Sequence, residues 1–590
     1  MKHSALRERY PNTRRSSVDG CHWRVASAYR AALATRQWHP LLASFVVLAL
    51  IANMQTVAMA EEPLHAEIDR LVNAAAGGSV AAQSTDAEFL RRISLDLAGT
   101  IPTAAETRHF LEETAPDKRI QLIDRLLAGD DYPRRMQQAL TVMWLERRAG
   151  TAIKDAAWNK YLRASFAANK PWDEFVRELI ATDGSDEAAR PAIRFFVDGG
   201  RADHHQLTRD VGRLFLGMDL QCAQCHNHPS IEDYLQADYF GLYSYLKQSK
   251  LQADKQKNSF LIETVTQARI EFQSVFTPED KSQTGPRLPG GKEVEVPTFE
   301  KKGDEFASPA KDGLPGVPKF QPRKLLAEHL TSNENRRFAR NAVNRFWFLM
   351  MGRGLVHPLD LLHGENPPSH PELLQLLTDQ FVAHKYDVKY LLREIAVTAA
   401  YQRSSLLPDG VKATDVAEAS YRVALAKPLS AEQMAWCLMT ATGNLKRVTD
   451  TPAPKDSKFT YKDYVNDRLP LPDNLPDVLL LFGATFGNPP GEAETEFAPS
   501  TKHSLFLMNE KLVFDWLQPR DGSLMQRIVK LDDSKAVADE LYLTLVTRRP
   551  ETDEIDIVTE YLKQHKDRRK SALTELTWAL LTTAEFRLNH

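Results

Sequence analysis

Cys222, Cys225 and His226 form a C-x-x-C-H element inside LQCAQCHNHPSIEDY, in a chain of 590 residues with only four cysteines. That spacing is the one used for covalent attachment of a c-type haem. Two thiols three residues apart on a helical turn face the same way, so both can add to the haem vinyl groups. The adjacent imidazole of His226 then reaches the iron as proximal ligand. The same donors admit other chemistry. Zinc prefers four Cys or His ligands, so a metal site would combine the cysteines and His226 or His228 with His204 or His205. A local disulfide or redox-active C-x-x-C is the third option, with helix and imidazole stabilising a thiolate. No thioredoxin-like βαβ pattern surrounds the motif.

The spacing selects no distal iron ligand. Met218 lies too close upstream to fold across a porphyrin, and His228 is only two residues past His226. His204 and His205 precede the helix that leads into the motif and are better placed. His363 and His370 would have to approach from the second half of the chain. Five-coordinate iron would suit ligand binding or peroxidatic chemistry, and six-coordinate iron electron transfer.

Haem is attached to such motifs outside the bacterial inner membrane, and the N-terminus points there. Residues 41–52, LLASFVVLALIA, have the length of a signal-peptide apolar core rather than a membrane span. A basic stretch precedes them, and Ala58-Met59-Ala60 supplies a small-x-small cleavage pattern. The expectation is an exported protein, periplasmic or at the cell surface, cleaved after Ala60. Membrane contact would come only through an uncleaved signal segment. Losing residues 1–60 takes 8 of 75 Lys and Arg and 2 of 78 Asp and Glu, leaving 67 and 76 and a net charge of −9. Nucleic acid is therefore not an expected partner. A periplasmic redox partner or an extracellular polymer is. Three cysteines remain, too few for a disulfide framework, and Cys437, in SAEQMAWCLMTATG, reads as a packing residue.

The remaining residues, about 530, exceed one compact core. Apolar periodicity predicts helices at Asp86–Leu97, entered through Thr85 and Glu88 at capping-box spacing, from Pro102, over 120–127, and from Thr208 to Cys225. Partial alternation and many prolines and glycines predict a small β-rich insert and linker around 250–322. Helical texture returns after Pro322, with a polar excursion at 446–475 and a helical tail. The fold class is therefore mainly α, multidomain, with a signal peptide at 1–60, a helical domain at 61–249 and a second helical domain at 323–590.

These segments resemble a known pair of domains. RRISLDLAGTIPTAAETRHFL, KRIQLIDRLLAGDDYPRRM and FLGMDLQCAQCHNHP are similar to the planctomycete-type PSCyt domain. NRRFARNAVNRFWFLMMGRGLVHP, NPPSHPELLQLLTDQF and LLREIAVTAAYQRSS are similar to its partner, the PSD domain. The resemblance implies an exported, cytochrome-like protein whose reaction is unassigned. Two stretches depart from the family pattern. Asn227 stands where C-H-D-H-P has aspartate, and Ser230-Ile231-Glu232-Asp233 stand where F-D-P-W is usual. The separate cytochrome module common in the family is also missing from this sequence.

Other enzyme signatures are absent: the sequence has no G-x-S-x-G, H-E-x-x-H, P-loop or G-x-G-x-x-G. Asp360 and Glu365, with the histidines around them, could form a hydrolytic or metal site. Arg336, Arg337, Arg340, Arg345 and Arg353 would suit a sulfated polysaccharide, or else pair within the fold. The leading expectation is one haem c serving periplasmic electron transfer or redox support of a partner. The alternative is a non-catalytic scaffold or polysaccharide-binding protein whose C-x-x-C-H is a structural disulfide or metal site.

Overall fold

The computed structural model describes residues 62–148, 153–198, 203–264, 269–454, 459–466, 468–494 and 500–590. The expected signal segment, with its apolar core and the Ala58-Met59-Ala60 site, lies outside them. Among the described residues, no helix is long and apolar enough to cross a membrane. Residues Leu64–His590 form one compact unit.

That unit is mainly helical with small two-stranded sheets, as the periodicity predicts. Its first half runs through α1 (Leu64–Ala75), α2 (Asp86–Ile93), α3 (Ala104–Glu112), α4 (Lys118–Ala128), α5 (Asp131–Leu145), α6 (His204–Leu216) and α7 (Gln236–Leu246). Three antiparallel pairs follow: β1 (Ser249–Ala253) with β2 (Ser259–Glu263), β3 (Ile270–Ser274) with β4 (Thr277–Thr284), and β5 (Phe306–Ser308) with β6 (Val317–Pro318). Helices resume with α8 (Pro322–Leu330), α9 (Arg336–Met351), α10 (Pro371–Ala383) and α11 (Val388–Val397). After the short β7 (Lys427–Pro428) come α12 (Ala431–Thr442) and a helical tail. The tail ends in β8 (Leu588–Asn589), paired with β7.

Two hydrophobic cores fill the unit. The first joins the helices before the β-rich stretch to α8–α11, around buried Trp144, Phe175, Phe215, Phe346 and Phe381. The second gathers α12 and the tail around Cys437, Phe482, Trp516 and Leu541. The segment after α2 contributes to both. Phe89, Leu90, Ile93 and Leu97 enter the first core, and Leu95 and Ile101 the second. A π-helical turn at Ser94–Ala98 carries this change of face, the extra residue per turn rotating the side chains that follow.

The charged residues of the same segment hold the halves together. Arg91, buried, donates to the carbonyls of Phe586 (2.7 Å) and Glu585 (3.0 Å). Arg92 donates to the carbonyls of Tyr401 (2.7 Å) and Arg403 (2.8 Å) and pairs with Glu88 at 2.6 Å. The Asp96 carboxylate receives Lys427 Nζ (2.6 Å), Asn589 Nδ2 (2.7 Å) and the Tyr401 hydroxyl (2.8 Å). The capping box expected at Thr85 is half made. Thr85 Oγ1 accepts Glu88 N, but the Glu88 carboxylate is taken by Arg92, Ser404 and Ser405. A reciprocal box forms one helix later, between Thr103 and Glu106.

Gly99 ends the π turn at φ +70°, and a Cβ there would sit 2.8 Å from Cδ of Arg135. A left-handed backbone and a displaced buried side chain add up, so Gly99→Ala should cost about 1–3 kcal/mol. Urea denaturation of the protein measures this. An unchanged midpoint would contradict it.

Candidate functional site

The C-x-x-C-H element sits on a loop between α6 and α7 that is pinned on every side. Gly217, φ +67°, closes α6, and the chain then runs along the 357–366 loop of the second half. Leu362 N donates to Gly217 O (2.8 Å) and Asp219 N to Asp360 O (2.8 Å), with a bridge between Met218 and Leu361. Asp219 Oδ1 accepts Gln221 N at 3.0 Å and starts the turn. Cys222–Gln224 form one 3-10 turn, with the amides of Cys225 and His226 returning to Cys222 O at 3.2 and 3.4 Å. Within it Ala223 is buried while both cysteines face solvent with free thiols. Turning Ala223 inward leaves a cysteine exposed at each end of the turn.

The imidazole of His226 is oriented by its neighbour, Nδ1 lying 2.6 Å from Asn227 O. A carbonyl accepts from Nδ1–H, which leaves Nε2 as the ring's lone pair. Nε2 has no hydrogen-bond partner among the described residues. The tip of the β3–β4 hairpin reaches over this ring. Val275 N donates to Cys225 O at 3.0 Å, and the Phe276 ring lies 4.9 Å from the His226 ring at 45°. Val275 and Phe276 are 60% and 75% exposed, so an apolar tip stands free beside the thiols.

Asn227 has a structural task. Its Oδ1 accepts Gln236 N at 2.8 Å, the first amide of α7, which no carbonyl within that helix can satisfy. An aspartate there, as in the family pattern, could accept the same amide and add charge favourable to a helix start. The change to asparagine keeps the acceptor and drops the charge. Gln236 returns the contact from its side chain, donating to Gln224 O (3.4 Å) and Gln273 O (3.0 Å).

The other histidines weighed for iron or zinc have occupations of their own. His204 Nε2 meets Ser249 O at 2.7 Å. His205 Nδ1 meets the Tyr239 hydroxyl at 2.7 Å, and its ring stacks on Tyr243 at 4.4 Å. His228 Nδ1 accepts the amides of Ser230 (3.2 Å) and Ile231 (3.0 Å). His363 packs edge-on against Tyr234, and Met218 is buried. Among the described residues, no group of three or more His, Cys, Asp or Glu side chains is placed to hold a metal ion.

The second-half residues with candidate chemistry serve packing. Asp360 pairs with Arg345 and with Arg213 (3.3 Å), while Glu365 is exposed. Arg336 pairs with Asp379, Arg337 donates to Leu362 O and Arg353 pairs with Glu418. Four of the five arginines suited by sequence to a polyanion thus have internal partners, while the buried Nε of Arg340 has none among the described residues. Burial pushes Cys437 up to about 11, a protonated packing thiol.

His370, buried against Tyr421, is lowered from the usual histidine value by burial. His205 and His503 are lowered for the same primary reason. The unfolded chain therefore takes up protons that the native chain refuses as pH falls through about 6.5. Stability should be complete above that pH and decline below it. His370→Phe should flatten the decline between pH 6.5 and 5 in thermal melts; an unaltered slope would contradict this.

Sequence reasoning passed over the clamp of Arg91, Arg92 and Asp96. The signal was present, since two arginines and an aspartate interrupt an apolar helical stretch. It also passed over Arg135 and Gln138 on α5, which line a cavity between the halves.

Two family models match the chain: PSCyt2, a protein of unknown function (DUF1549), over residues 67–251, and PSD1, a protein of unknown function (DUF1553), over residues 322–562. No curated protein and no solved structure matches it.

Proposed function

Because this chain belongs to the family that pairs the PSCyt2 and PSD1 domains, both without an assigned function, we propose that it is an exported, cytochrome-like protein carrying one covalent haem c at Cys222, Cys225 and His226. The observation that carries the reading is the condition of the donor set. Two free, exposed thiols share a turn with an imidazole whose Nδ1 is held on Asn227 O and whose Nε2 is left open. That is the fit a c-type attachment requires.

Each Sγ–H would add across one vinyl double bond, sulfur to one carbon and hydrogen to the other, so nothing is lost and no oxidant is needed. His226 Nε2 would hold the iron, and the Nδ1–H···O bond to Asn227 would fix the orientation of the ring. A bound haem would supply one-electron chemistry. Phe276 and Val275 give an apolar wall on one side of the motif, and the remaining exposure leaves an edge for a redox partner. His204, His205 and His228 are each held in hydrogen bonds of their own, so His226 is the histidine that would hold the group. The basic leader, the apolar core at 41–52 and the Ala58-Met59-Ala60 site support export to the compartment where such attachment occurs.

Expression with the leader and a cytochrome c maturation system tests this. The expected result is a Soret band and peroxidase staining that survives denaturing electrophoresis. A well-matured sample with neither would refute the reading. A mass two hydrogens lighter, or a native mass raised by a metal ion, would favour the scaffold or polymer-binding alternative.

A further inference from the structure

A cavity of about 1090 Å³ lies where the first half, α12 and the tail meet, and neither motif cysteine lines it. Such a volume is ample for a small organic ligand. Its wall holds polar groups that the protein leaves unsatisfied. Arg135 is 9% exposed, yet among the described residues only its Nε is bonded, weakly, to Asp96 O at 3.4 Å. Gln138, one helical turn along α5 and 4% exposed, has neither amide atom paired. The Oδ1 of buried Asn589 is unpaired too. Buried polar atoms without partners are costly and uncommon in native proteins.

Charge defines what could satisfy them. The carboxylates in the wall are already engaged: Asp96 by Lys427, Glu432 and Glu494 by Arg147, and Glu418 by Arg353. Arg587, also in the wall, donates among the described residues to Thr583 O and Ser504 Oγ. Among the described residues Arg135 and Arg587 make no ion pair, though Asp96 and Glu432 lie near Arg135, and Arg135 offers a planar fork suited to a carboxylate. Gln138 and Asn589 add one donor and two acceptors, the complement of hydroxyl groups. Val142, Phe348 and Met434 give the cavity an apolar side. A phosphate dianion would meet Glu432 and Glu494 in the same wall, which favours a monoanion.

We propose that this cavity binds a small hydroxylated organic acid, its carboxylate on Arg135 and its hydroxyl groups on Gln138 and Asn589. The site is separate from the C-x-x-C-H element and does not depend on haem.

Calorimetry on the full mature protein tests it with galacturonate and 4-hydroxybenzoate, against galactose and phenol as neutral counterparts. At least one acid should bind, with its neutral counterpart at least tenfold weaker. The two acids distinguish a sugar-derived ligand from an aromatic one. Arg135→Met and Gln138→Leu should each weaken binding about tenfold or more. Neither should lower the melting midpoint appreciably, because Gln138 has no hydrogen bond to lose among the described residues and Arg135 loses only the 3.4 Å bond to Asp96 O. No binding of either acid at millimolar concentration would overturn the proposal. So would equal binding of acid and neutral counterpart, or variants that bind like the parent protein.

Discussion

Replacing both motif cysteines, Cys222→Ala with Cys225→Ala, will abolish covalently held haem while leaving the unfolding midpoint of the haem-free polypeptide unchanged. The two halves of that expectation rest on different observations. Attachment needs sulfur at both positions, and the other cysteine among the described residues, Cys437, is buried in the second core and cannot substitute. Stability does not need the thiols, which are exposed and unbonded. The turn is held by backbone bonds to Cys222 O and by the Gln221 and Asn227 contacts, all of which alanine preserves. Surface substitutions of this kind fall within about 0.5 kcal/mol. In-gel peroxidase staining and a urea titration on apo samples measure both quantities. A variant that unfolds early would make the thiols structural and contradict the account.

Asp96→Ala will cost about 3–5 kcal/mol, a large part of the 5–15 kcal/mol that a folded domain usually has in hand. Its carboxylate is only 2% exposed and receives three donors drawn from beyond residue 400: Tyr401, Lys427 and Asn589. Removing it leaves the Lys427 ammonium, itself lowered by burial, without its counter-charge. It also unties β8 from the first half, where Asn589 reaches back. Asp96→Asn keeps one amide oxygen, which can still accept Asn589 Nδ2, and loses the ion pair and the second acceptor used by Tyr401, so it should cost less than the alanine. Chemical denaturation of the three proteins gives the order parent, Asn, Ala. A midpoint for Asp96→Ala within error of the parent would show that the clamp contributes nothing.

The helical class and the β-rich stretch could be read from local pattern. Apolar periodicity records which face of a helix is buried, and Phe89, Leu90 and Ile93 are buried as that pattern requires. The proline- and glycine-rich stretch around 250–322 likewise forms short strand pairs. The C-x-x-C-H element was legible as a donor set because its three residues are neighbours in sequence. Its orientation was not. The Nδ1 bond to Asn227 O and the Phe276 cover depend on how a loop and a distant hairpin meet. Partners far apart in the chain were invisible for the same reason. Asp96 and Asn589 are separated by 493 positions, and nothing local at either one announces the other. The arginines after 335 illustrate the limit from the other side. As a sequence they could face a polyanion, and only the positions of Asp379, Asp360 and Glu418 show them turned to internal partners.

The central claim, one haem joined through two thioethers to an exported chain, has a direct test in the intact mass of the protein purified from a cytochrome-maturing host and measured after denaturation. The account predicts a polypeptide beginning at Glu61 and heavier by one complete haem, with no atoms lost in the addition. A polypeptide mass without haem, in a host that matures a control cytochrome, would contradict it.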